Sequence, residues 1–259
     1  MKETQKMLNE LHHRKYKEVK GIVEQQVPLL LVGPAGSGKN VVLEQVAKDL
    51  GKDFYFTNAV TEEYKLTGFI DASGTYQETQ FYQAFTRGGI FFLDEMDASV
   101  PEALVILNAA IANRYFNFPN GKAQAHPDFT VVAAANTTGR GADQQYTGRH
   151  ILDAATLDRF VLLDFNYDEE LEEKLSDDTE LVEFVQACRH ILADKEIDYP
   201  ISMRAVVNGS KLEEVLNTLE IVNYVVLKGM TTSTKQLIAA NLNDTENKYV
   251  NVLKMLFKE

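Results

Sequence analysis

The sequence has no tryptophan, a single cysteine and only 6 prolines among 259 residues. Because one thiol has no partner within the chain, an internal disulfide is excluded, and we expect Cys188 to be packed in a helical segment. No apolar run approaches the ~20 residues that cross a bilayer. The charged N-terminal segment also lacks the apolar core of a signal peptide. These absences predict a cytoplasmic protein without a membrane segment.

Basic residues are also few, since 26 Lys and Arg stand against 38 Asp and Glu, which gives a formal net charge of -12. Broad binding to DNA or RNA needs a basic face, so nucleic acid is the less favoured partner, although a local basic loop is not excluded. Acidic residues are concentrated between Asp168 and Asp198. There we expect a solvated helical surface.

Strand-like and helix-like segments alternate over the first two thirds of the chain. The strand candidates are short and rich in Val, Ile, Leu or Phe, as strands buried on both faces are. This alternation predicts an α/β fold with a parallel five-stranded sheet sandwiched by helices. The candidates are Pro28–Val32, Asp53–Asn58, Gly89–Leu93, Phe129–Ala135 and Phe160–Phe165.

Local signals define the connections between these strands. The helix after the first strand is expected to end before Gly51. In SVPEALVILNAAIANR, we expect Ser99 to cap a helix and Glu102 to complete a capping box. TGFIDASGTY, residues 67–76, predicts a small hairpin or loop. RYFNFPNGKAQAH predicts a hairpin with Asn120-Gly121 as its two-residue turn.

No strand pattern returns after about Asn166, and helical periodicity dominates the rest of the chain. We therefore expect two domains. Residues 1–166 would form the α/β domain, with residues 1–20 as an N-terminal helical extension. Residues 167–259 would form a smaller all-helical domain.

A glycine-rich loop follows the first strand candidate. The segment GPAGSGK matches the pattern G-x-x-x-x-G-K between a strand and a helix, which is the context of a phosphate-binding loop. Glycines let backbone N–H groups point at phosphate oxygens, and Lys39 would reach the terminal phosphates. The candidate phosphate-binding residues are Gly33, Pro34, Ala35, Gly36, Ser37, Gly38, Lys39 and Asn40.

Asn40 departs from this pattern, which has Ser or Thr at the position that holds Mg²⁺. Its amide oxygen belongs to a longer, planar group, whereas Mg²⁺ demands tight octahedral geometry. Three outcomes follow: Asn40 coordinates the ion directly, acts through a water molecule, or leaves the ion to Asp94 and the phosphates.

Polar residues follow two further strand candidates, since Asp94 and Glu95 come after GGIFFL and Asn136 follows FTVVAAA. Open parallel sheets bind their ligands at the carboxyl ends of their strands. Asp94 would hold Mg²⁺ and Glu95 would deprotonate the attacking water. Asn136 would position that water or contact the terminal phosphate, and a turn-forming role is the alternative.

Two arginines lie where a nucleotide triphosphatase could use them. In ATLDRF, Arg159 precedes the fifth strand candidate and would project toward a neighbouring subunit to stabilise charge on the transferred phosphoryl group. In ISMRAV, Arg204 begins a helix of the second domain and would reach back to the nucleotide.

Together these elements resemble the AAA+ ATPases, and more narrowly their MoxR-like branch. That branch includes the small ATPase subunit of aerobic cobaltochelatase and is similar to the dynein-type AAA ATPases. LTGFID, GGIFFLDEMD, VILNAAIANR and ATLDRF carry the resemblance, which covers nearly the whole chain from about residue 20. It implies an AAA+ P-loop NTPase fold in which the second domain is a helical lid.

The resemblance also implies a role for each motif. Residues 33–39 would cradle phosphates, Asp94 would bind magnesium and Glu95 would be the catalytic base. Asn136 would be the first sensor, and Arg204 would be the sensor of the lid.

Members of this family act as rings, usually hexamers, in which a neighbouring subunit completes each site. The resemblance makes Arg159 the finger that is donated to the next subunit. Arg149, in YTGRH, is a second candidate for this inter-subunit arginine. A structural salt bridge is the alternative for both side chains.

The resemblance implies an ATPase that binds ATP and Mg²⁺ and hydrolyses ATP, slowly because of Asn40, to remodel or activate a partner protein in the manner of a chaperone or chelatase. Related ATPases often work with a von Willebrand A domain protein, which here would be a separate chain. Two alternatives stay open. One is a DNA-directed ATPase of replication or recombination, and the other is a nucleotide-binding scaffold with little hydrolysis.

Overall fold

The computed structural model describes residues 11–139, 141 and 147–257. These residues group into two compact units. The α/β unit draws on residues 14–34 and 38–166, and the helical unit on residues 11–13, 35–37 and 167–257. Residues 1–10 of the predicted N-terminal extension lie outside the described part of the chain.

The α/β unit contains one parallel sheet and two antiparallel hairpins. Its strands are β1 (Leu29–Val32), β2 (Phe54–Thr57), β3 (Phe69–Ile70), β4 (Tyr76–Gln77), β5 (Gly89–Leu93), β6 (Tyr115–Phe118), β7 (Gly121–Gln124), β8 (Phe129–Ala135) and β9 (Val161–Asp164). The parallel sheet has the order β2-β5-β8-β1-β9, and the hairpins are β3-β4 and β6-β7. The predicted parallel five-stranded sheet is confirmed, and every strand bound lies within one residue of its prediction.

Helices cover both faces of this sheet. They are α1 (Tyr16–Glu24), α2 (Lys39–Leu50), α3 (Tyr64–Thr67), α4 (Gln80–Arg87), α5 (Pro101–Asn113) and α6 (Ala154–Leu157). Successive residues of a strand point to opposite faces. Leu30 accordingly packs in one core with Phe81 of α4 and Leu107 of α5. Leu31 packs in a second core with Val46 of α2, so β1 is buried on both sides, as are β5 and β8. The edge strands β2 and β9 are partly exposed, which corrects the expectation that all five strands are buried on both faces.

The start of α5 differs from the prediction. The helix begins at Pro101 with Val100 as its N-cap residue, and no side chain caps it, so the predicted Ser99 capping box is wrong. The Ser99 hydroxyl instead accepts a hydrogen bond from the Val60 amide at 3.0 Å. Pro101 has no N–H group that would need a capping acceptor, and its fixed φ suits the first helical position.

The second hairpin forms with a shifted turn. Phe118 pairs with Gly121, so the two turn residues are Pro119 and Asn120 and not Asn120-Gly121. The fixed φ of proline suits the first central position of a turn, and this preference outweighs the Asn-Gly signal. The small hairpin predicted in residues 67–76 is also present, as β3-β4.

The described residues of the helical unit contain helices and no strand. The helices are α7 (Glu169–Leu175), α8 (Thr179–Asp194), α9 (Arg204–Leu212), α10 (Thr218–Ile221), α11 (Thr232–Asn241) and α12 (Lys248–Met255), and a short π-helical segment, Val222–Val226, follows α10. Phe184 and Cys188 of α8 lie in the apolar core of this unit. Cys188 is fully buried, as predicted for a packed thiol, and burial raises the pKa of that thiol.

The acidic segment that begins at Asp168 is not wholly solvated, which corrects the prediction. Glu172 has no exposed surface, and its carboxylate accepts hydrogen bonds from Arg189 at 2.6 and 3.1 Å. Arg189 also donates to the Ile201 carbonyl oxygen at 3.0 Å. A buried carboxylate is tolerated when a well-placed cation pairs with it, and this pair joins α7 to α8.

Helix length bears on the membrane prediction. The longest helix of the described residues is α8, with 16 residues, whereas a membrane span needs about 20. Within residues 11–139, 141 and 147–257, no helix combines the length and the apolar character that crossing a membrane requires.

Candidate functional site

The glycine-rich loop connects β1 to α2, and its backbone explains its glycines. A Cβ atom at Gly33 would lie 2.1 Å from the Phe165 carbonyl oxygen, so no larger residue fits there. Gly38 has a φ of 96° and precedes the first turn of α2. Glycine adopts this left-handed conformation without strain. The loop therefore brings the N-terminus of α2, the positive end of the helix dipole, to the carboxyl edge of the sheet.

Lys39 is the first residue of α2, and the residue is only 6% exposed. Its Nζ atom donates to the carbonyl oxygens of Gly33 and Pro34 at 2.7 and 3.0 Å. It also donates to Oδ1 of Asn136, at the end of β8, at 3.2 Å. The structure therefore brings Lys39 and Asn136 together, because the loop before Lys39 and the residue Asn136 follow the neighbouring strands β1 and β8.

Asn40 contacts Asp94, the residue after β5. The Asn40 amide nitrogen donates to Oδ2 of Asp94 at 3.1 Å. The other oxygen of Asp94 accepts from the Glu95 amide at 2.9 Å. None of the three outcomes considered for Asn40 included this direct bond. The residue that replaces the usual hydroxyl is thus a hydrogen-bond donor to the predicted magnesium ligand.

Asp97, which no sequence motif singled out, has no exposed surface. Its Oδ2 atom accepts hydrogen bonds from the amides of Asn136 and Thr137 at 3.2 and 3.0 Å, and from the Thr137 hydroxyl at 2.9 Å. Asp97 therefore fixes the end of β8 to the short 3-10 turn, Met96–Ala98, that follows β5. The signal was the third acid in GGIFFLDEMD, since an aspartate so close to a buried strand can be buried with it.

Arg149 lies against the acids that follow β5. Its Nη2 atom is 3.1 Å from Oε1 of Glu95, and its Nη1 atom is 3.5 Å from Oδ1 of Asp97. The Arg149 side chain is 10% exposed, whereas that of Glu95 is 44% exposed. The geometry places Arg149 beside the Glu95 of its own chain, whereas the sequence offered it as an arginine for a neighbouring subunit.

Arg159 follows α6, and its guanidinium donates to the Ala155 carbonyl oxygen within the same segment. Among the described residues, the hydrogen bonds around Asp94 come from Asn40 and the Glu95 amide and not from Arg159. The structure thus does not join Arg159 to the group at the strand ends. An arginine that acts on a neighbouring subunit would not be expected to join it.

Residues 35–37, at the tip of the glycine-rich loop, group with the helical unit. Within that unit, the Tyr167 hydroxyl donates to the Ala35 carbonyl oxygen at 3.1 Å. A Cβ atom at Gly36 would lie 2.7 Å from Cβ of Ser202 and 3.6 Å from Nε of Arg204. Arg204, the first residue of α9, therefore lies near residue 36 of the loop.

The donor set is compatible with Mg²⁺, which takes oxygen ligands and commonly uses one or two carboxylates together with substrate phosphates and water. Asp94 supplies a carboxylate and Asn40 an amide oxygen at this edge of the sheet. In the described part of the chain, no group of three or more His, Cys, Asp or Glu side chains is arranged to hold a metal. The two oxygen donors fit an ion that also takes ligands from phosphates and water.

Comparison with family models gives a match for residues 28–160 to the AAA domain of the dynein-related subfamily. This match covers just over half of the 259 residues. It begins one residue before β1 and ends one residue before β9, so it includes the glycine-rich loop and the strand ends that carry Asp94 and Asn136.

Curated proteins also resemble this chain. The chain is 29% identical to Protein CbbQ of Hydrogenophilus thermoluteolus over 152 residues, which is 55% of this chain and about half, 54%, of CbbQ. It is 25% identical to an uncharacterized protein of Staphylococcus saprophyticus over 227 residues, 78% of this chain and 83% of that protein. It is 32% identical to midasin of Dictyostelium discoideum over 60% of this chain, which is 3% of midasin.

Solved structures share the fold. A candidate ATPase from Cytophaga hutchinsonii has a TM-score of 0.52 with 15% identity, over 98% of this chain and 93% of that one. NtrX from Brucella abortus in complex with ATP has a TM-score of 0.56 with 14% identity, over 92% of this chain and 60% of that one. At these identities, the likeness concerns the fold.

Proposed function

The chain belongs to the dynein-related subfamily of AAA domains, an AAA+ ATPase family of the MoxR-like type, and we propose from this premise that it binds ATP with Mg²⁺ and hydrolyses ATP to remodel or activate a partner protein. One observation carries the proposal. Lys39 contacts Asn136 and Asn40 contacts Asp94, so the carboxyl edge of the sheet gathers the groups that phosphoryl transfer needs.

The glycine-rich loop and Lys39 would hold the phosphates. The N–H groups at the start of α2 supply positive potential, and the Lys39 ammonium lies in the loop itself, 2.7 Å from the Gly33 carbonyl oxygen. A terminal phosphate would draw the ammonium away from these carbonyl oxygens, because the cation is attracted more strongly to a negatively charged oxygen than to a neutral one.

Asp94 and Asn40 would hold Mg²⁺. When bound, the ion would neutralise charge on the terminal phosphates. Asn40 would contribute its amide oxygen while its nitrogen keeps the bond to Asp94. A planar amide satisfies octahedral geometry less readily than a hydroxyl, so we expect slow turnover.

Glu95 would be the base that accepts a proton from the attacking water, and Asn136 would orient that water. Glu95 suits this role because its side chain is half exposed beside the Asp94 carboxylate. The backbone N–H of Asn136 donates to Asp97, and its side-chain oxygen accepts from Lys39, so both parts of the residue are held in place.

Assembly would complete the site. We propose a homo-oligomeric ring of the kind common among AAA+ ATPases, in which Arg159 acts on the neighbouring subunit. Residues 167–259 would form the lid domain, with Arg204 as its nucleotide sensor. The client would be a protein, with a von Willebrand A domain protein on a separate chain as one candidate.

A nucleotide-binding scaffold is the second candidate, and the bond between Asn40 and Asp94 favours it, because an oxygen that accepts this hydrogen bond is less available to an ion. Phosphate release from the assembled wild-type protein, at saturating ATP and varied Mg²⁺, separates the two. We expect slow but measurable turnover. No release under these conditions would eliminate the hydrolytic proposal.

Replacing Asn40 by Thr sharpens this test. We expect Asn40→Thr to lower the Mg²⁺ concentration for half-maximal turnover several-fold, because a hydroxyl reaches the ion with less constraint. The matched control is Val41→Thr, which adds the same hydroxyl at an exposed neighbouring position and should leave the Mg²⁺ dependence unchanged. Activity that appears only in Asn40→Thr would establish the scaffold.

A further inference from the structure

We propose that Arg149 acts within its own chain as the positioning residue of Glu95, and is not an arginine that a subunit donates to its neighbour. This inference rests on the proposed role of Glu95 as the base in ATP hydrolysis. It assigns to Arg149 the task of holding the Glu95 carboxylate at the end of β5.

Burial argues for action within the chain. The Arg149 side chain is 10% exposed, and its two terminal nitrogens face Glu95 and Asp97 of the same chain at 3.1 and 3.5 Å. An arginine that acts on a neighbouring subunit has to present its guanidinium at the surface. The position of Arg149 leaves little of the group available for that purpose.

Asp97 anchors Arg149 on a rigid support. One oxygen of Asp97 faces Arg149, while the other accepts the amides of Asn136 and Thr137. The backbone fixes the same segment, since the His150 amide donates to the Asp97 carbonyl oxygen at 2.7 Å. Arg149 is therefore held to the turn after β5 through its own side chain and through the next residue.

Glu95 combines an unusual backbone conformation with a partly exposed side chain. Its φ of 52° is in the left-handed region, which few residues other than glycine adopt. The backbone is held there by the bond from the Glu95 amide to Asp94 at 2.9 Å, but the carboxylate is 44% exposed. A base must stay within hydrogen-bond reach of the water it deprotonates. The ion pair with Arg149 restricts the side-chain rotamers that would otherwise move the carboxylate away.

The chemistry of arginine matters here because one guanidinium serves two carboxylates. Its nitrogens form a rigid fork, whereas a lysine ammonium is a point charge on a flexible stem. Arg149→Lys would keep a positive charge beside buried Asp97 and lose the simultaneous hold on Glu95. It is therefore the variant that tests positioning with the smallest risk to folding, and Arg149→Ala is the more severe companion.

The first measurement is steady-state hydrolysis. We expect Arg149→Lys to lower kcat about tenfold, a fraction of the 10²–10⁴-fold that a placed general base supplies. KM for ATP should stay within about twofold, because the phosphate loop is unchanged. An unchanged or higher kcat in the variant would mean that Arg149 does not hold Glu95 in its productive position, and would overturn the proposal.

The second measurement mixes subunits. Neither Arg149→Ala nor Glu95→Gln should hydrolyse ATP well alone, and a 1:1 mixture should remain inactive if each site needs both residues from one chain. The mixture of Arg159→Ala with Glu95→Gln is the matched control, since a donated arginine restores sites at mixed interfaces. Recovery of activity in the Arg149 mixture would overturn the proposal.

The third measurement does not depend on hydrolysis, so it separates failure of this inference from failure of the proposed function. Thermal unfolding of Glu95→Ala, Arg149→Lys and the double variant is compared without nucleotide, at concentrations where the chain is monomeric. We expect the loss in Tm of the double variant to be smaller than the sum of the single losses, because the pair lies within one chain. Additive losses would contradict the pairing even if ATP turnover were found.

Discussion

Each unit contains a fully buried carboxylate paired with an arginine. In the α/β unit, Asp97 faces Arg149 at 3.5 Å, and in the helical unit Glu172 faces Arg189 at 2.6 Å. The two arginines are similarly buried, at 10% and 14% exposure of the side chain. Each arginine also reaches a second, partly exposed acid, which is Glu95 for Arg149 and Glu169 for Arg189. What differs is the place of that acid, since Glu95 follows a strand of the sheet beside Asp94, whereas Glu169 begins α7.

The groups that surround each arginine also differ. Arg189 also donates to the Ile201 carbonyl oxygen, and its guanidinium lies 4.2 Å from the centre of the Tyr167 ring. These contacts tie α7, α8 and the loop before α9 together. Similar ion pairs thus lie among packed helices in one unit and beside an acid at a strand end in the other. A buried ion pair by itself therefore does not indicate function, and the residues that contact it have to be considered as well.

Replacing Lys39, in the α/β unit, should give the largest effect, and that effect should be on ATP turnover. Lys39→Ala removes a buried cation that contacts two loop carbonyl oxygens and Asn136. We expect ATP turnover to fall on the order of 10³-fold, because an electrostatic contact to the transferred phosphoryl group is lost. Tm should change little. The assays are phosphate release and thermal unfolding.

Lys48→Ala is the matched control, since Lys48 is an exposed residue in the last turn of the same helix. It should match the wild type in both assays. Turnover that survives in Lys39→Ala would show that the glycine-rich loop is not the phosphate site.

Replacing Glu172, in the helical unit, should instead lower the free energy of unfolding. Glu172→Gln leaves Arg189 without its closest carboxylate, and breaking a buried pair costs about 3 kcal/mol of unfolding free energy. Turnover measured well below the unfolding transition should stay close to that of the wild type. The measurement is denaturant unfolding with the midpoint and slope both fitted.

The control is Glu173→Gln, which removes the same charge from the adjacent exposed residue and should change stability by less than about 0.5 kcal/mol. Equal behaviour of the two variants would mean that the Glu172–Arg189 pair contributes nothing specific. The contrast between the two units would then fail.

The smallest effect is expected for Asp178 in the helical unit, and it appears as a pH dependence. Burial raises the pKa of Asp178, but hydrogen bonds from Glu213, Lys248 and Tyr249 and from the Leu181 amide outweigh it and hold that pKa below its ordinary value of 3.8. A carboxyl whose pKa is lower in the folded state stabilises the fold above the unfolded pKa. This contribution is lost as the pH falls below about 3.8.

Asp178→Asn should therefore lose less Tm than the wild type between pH 3.8 and pH 2, by about 3 °C. Asparagine still caps α8, so the variant changes charge and not the cap. The hydrogen bond with Asp178 raises the pKa of Glu213. Its effect on stability is therefore expected at pH values above 4.5, the ordinary pKa of the group, and so outside this window. Asp177→Asn, at an exposed neighbour, should keep the wild-type slope. Equal slopes would refute the assignment.

The sequence predicted most of the sheet because its signals are local. Buried strands and their ends follow from runs of apolar residues, and every strand of the parallel sheet was placed within one residue. The turn of the β6-β7 hairpin was misplaced because Pro119 and the Asn-Gly pair compete for the same turn. The Ser99 cap was wrong because its hydroxyl is engaged by Val60, a residue 39 positions away.

The glycine-rich loop, the acids after β5 and the amide after β8 could be recognised from residue type and spacing, because each directly follows a buried strand or precedes a helix. Three contacts could not be read in this way: Asn40 with Asp94, Arg149 with Glu95, and Asp97 with the end of β8. Each joins residues 39 to 54 positions apart. Their pairing depends on strand order and on the path of the chain across the sheet edge, and local sequence does not encode either.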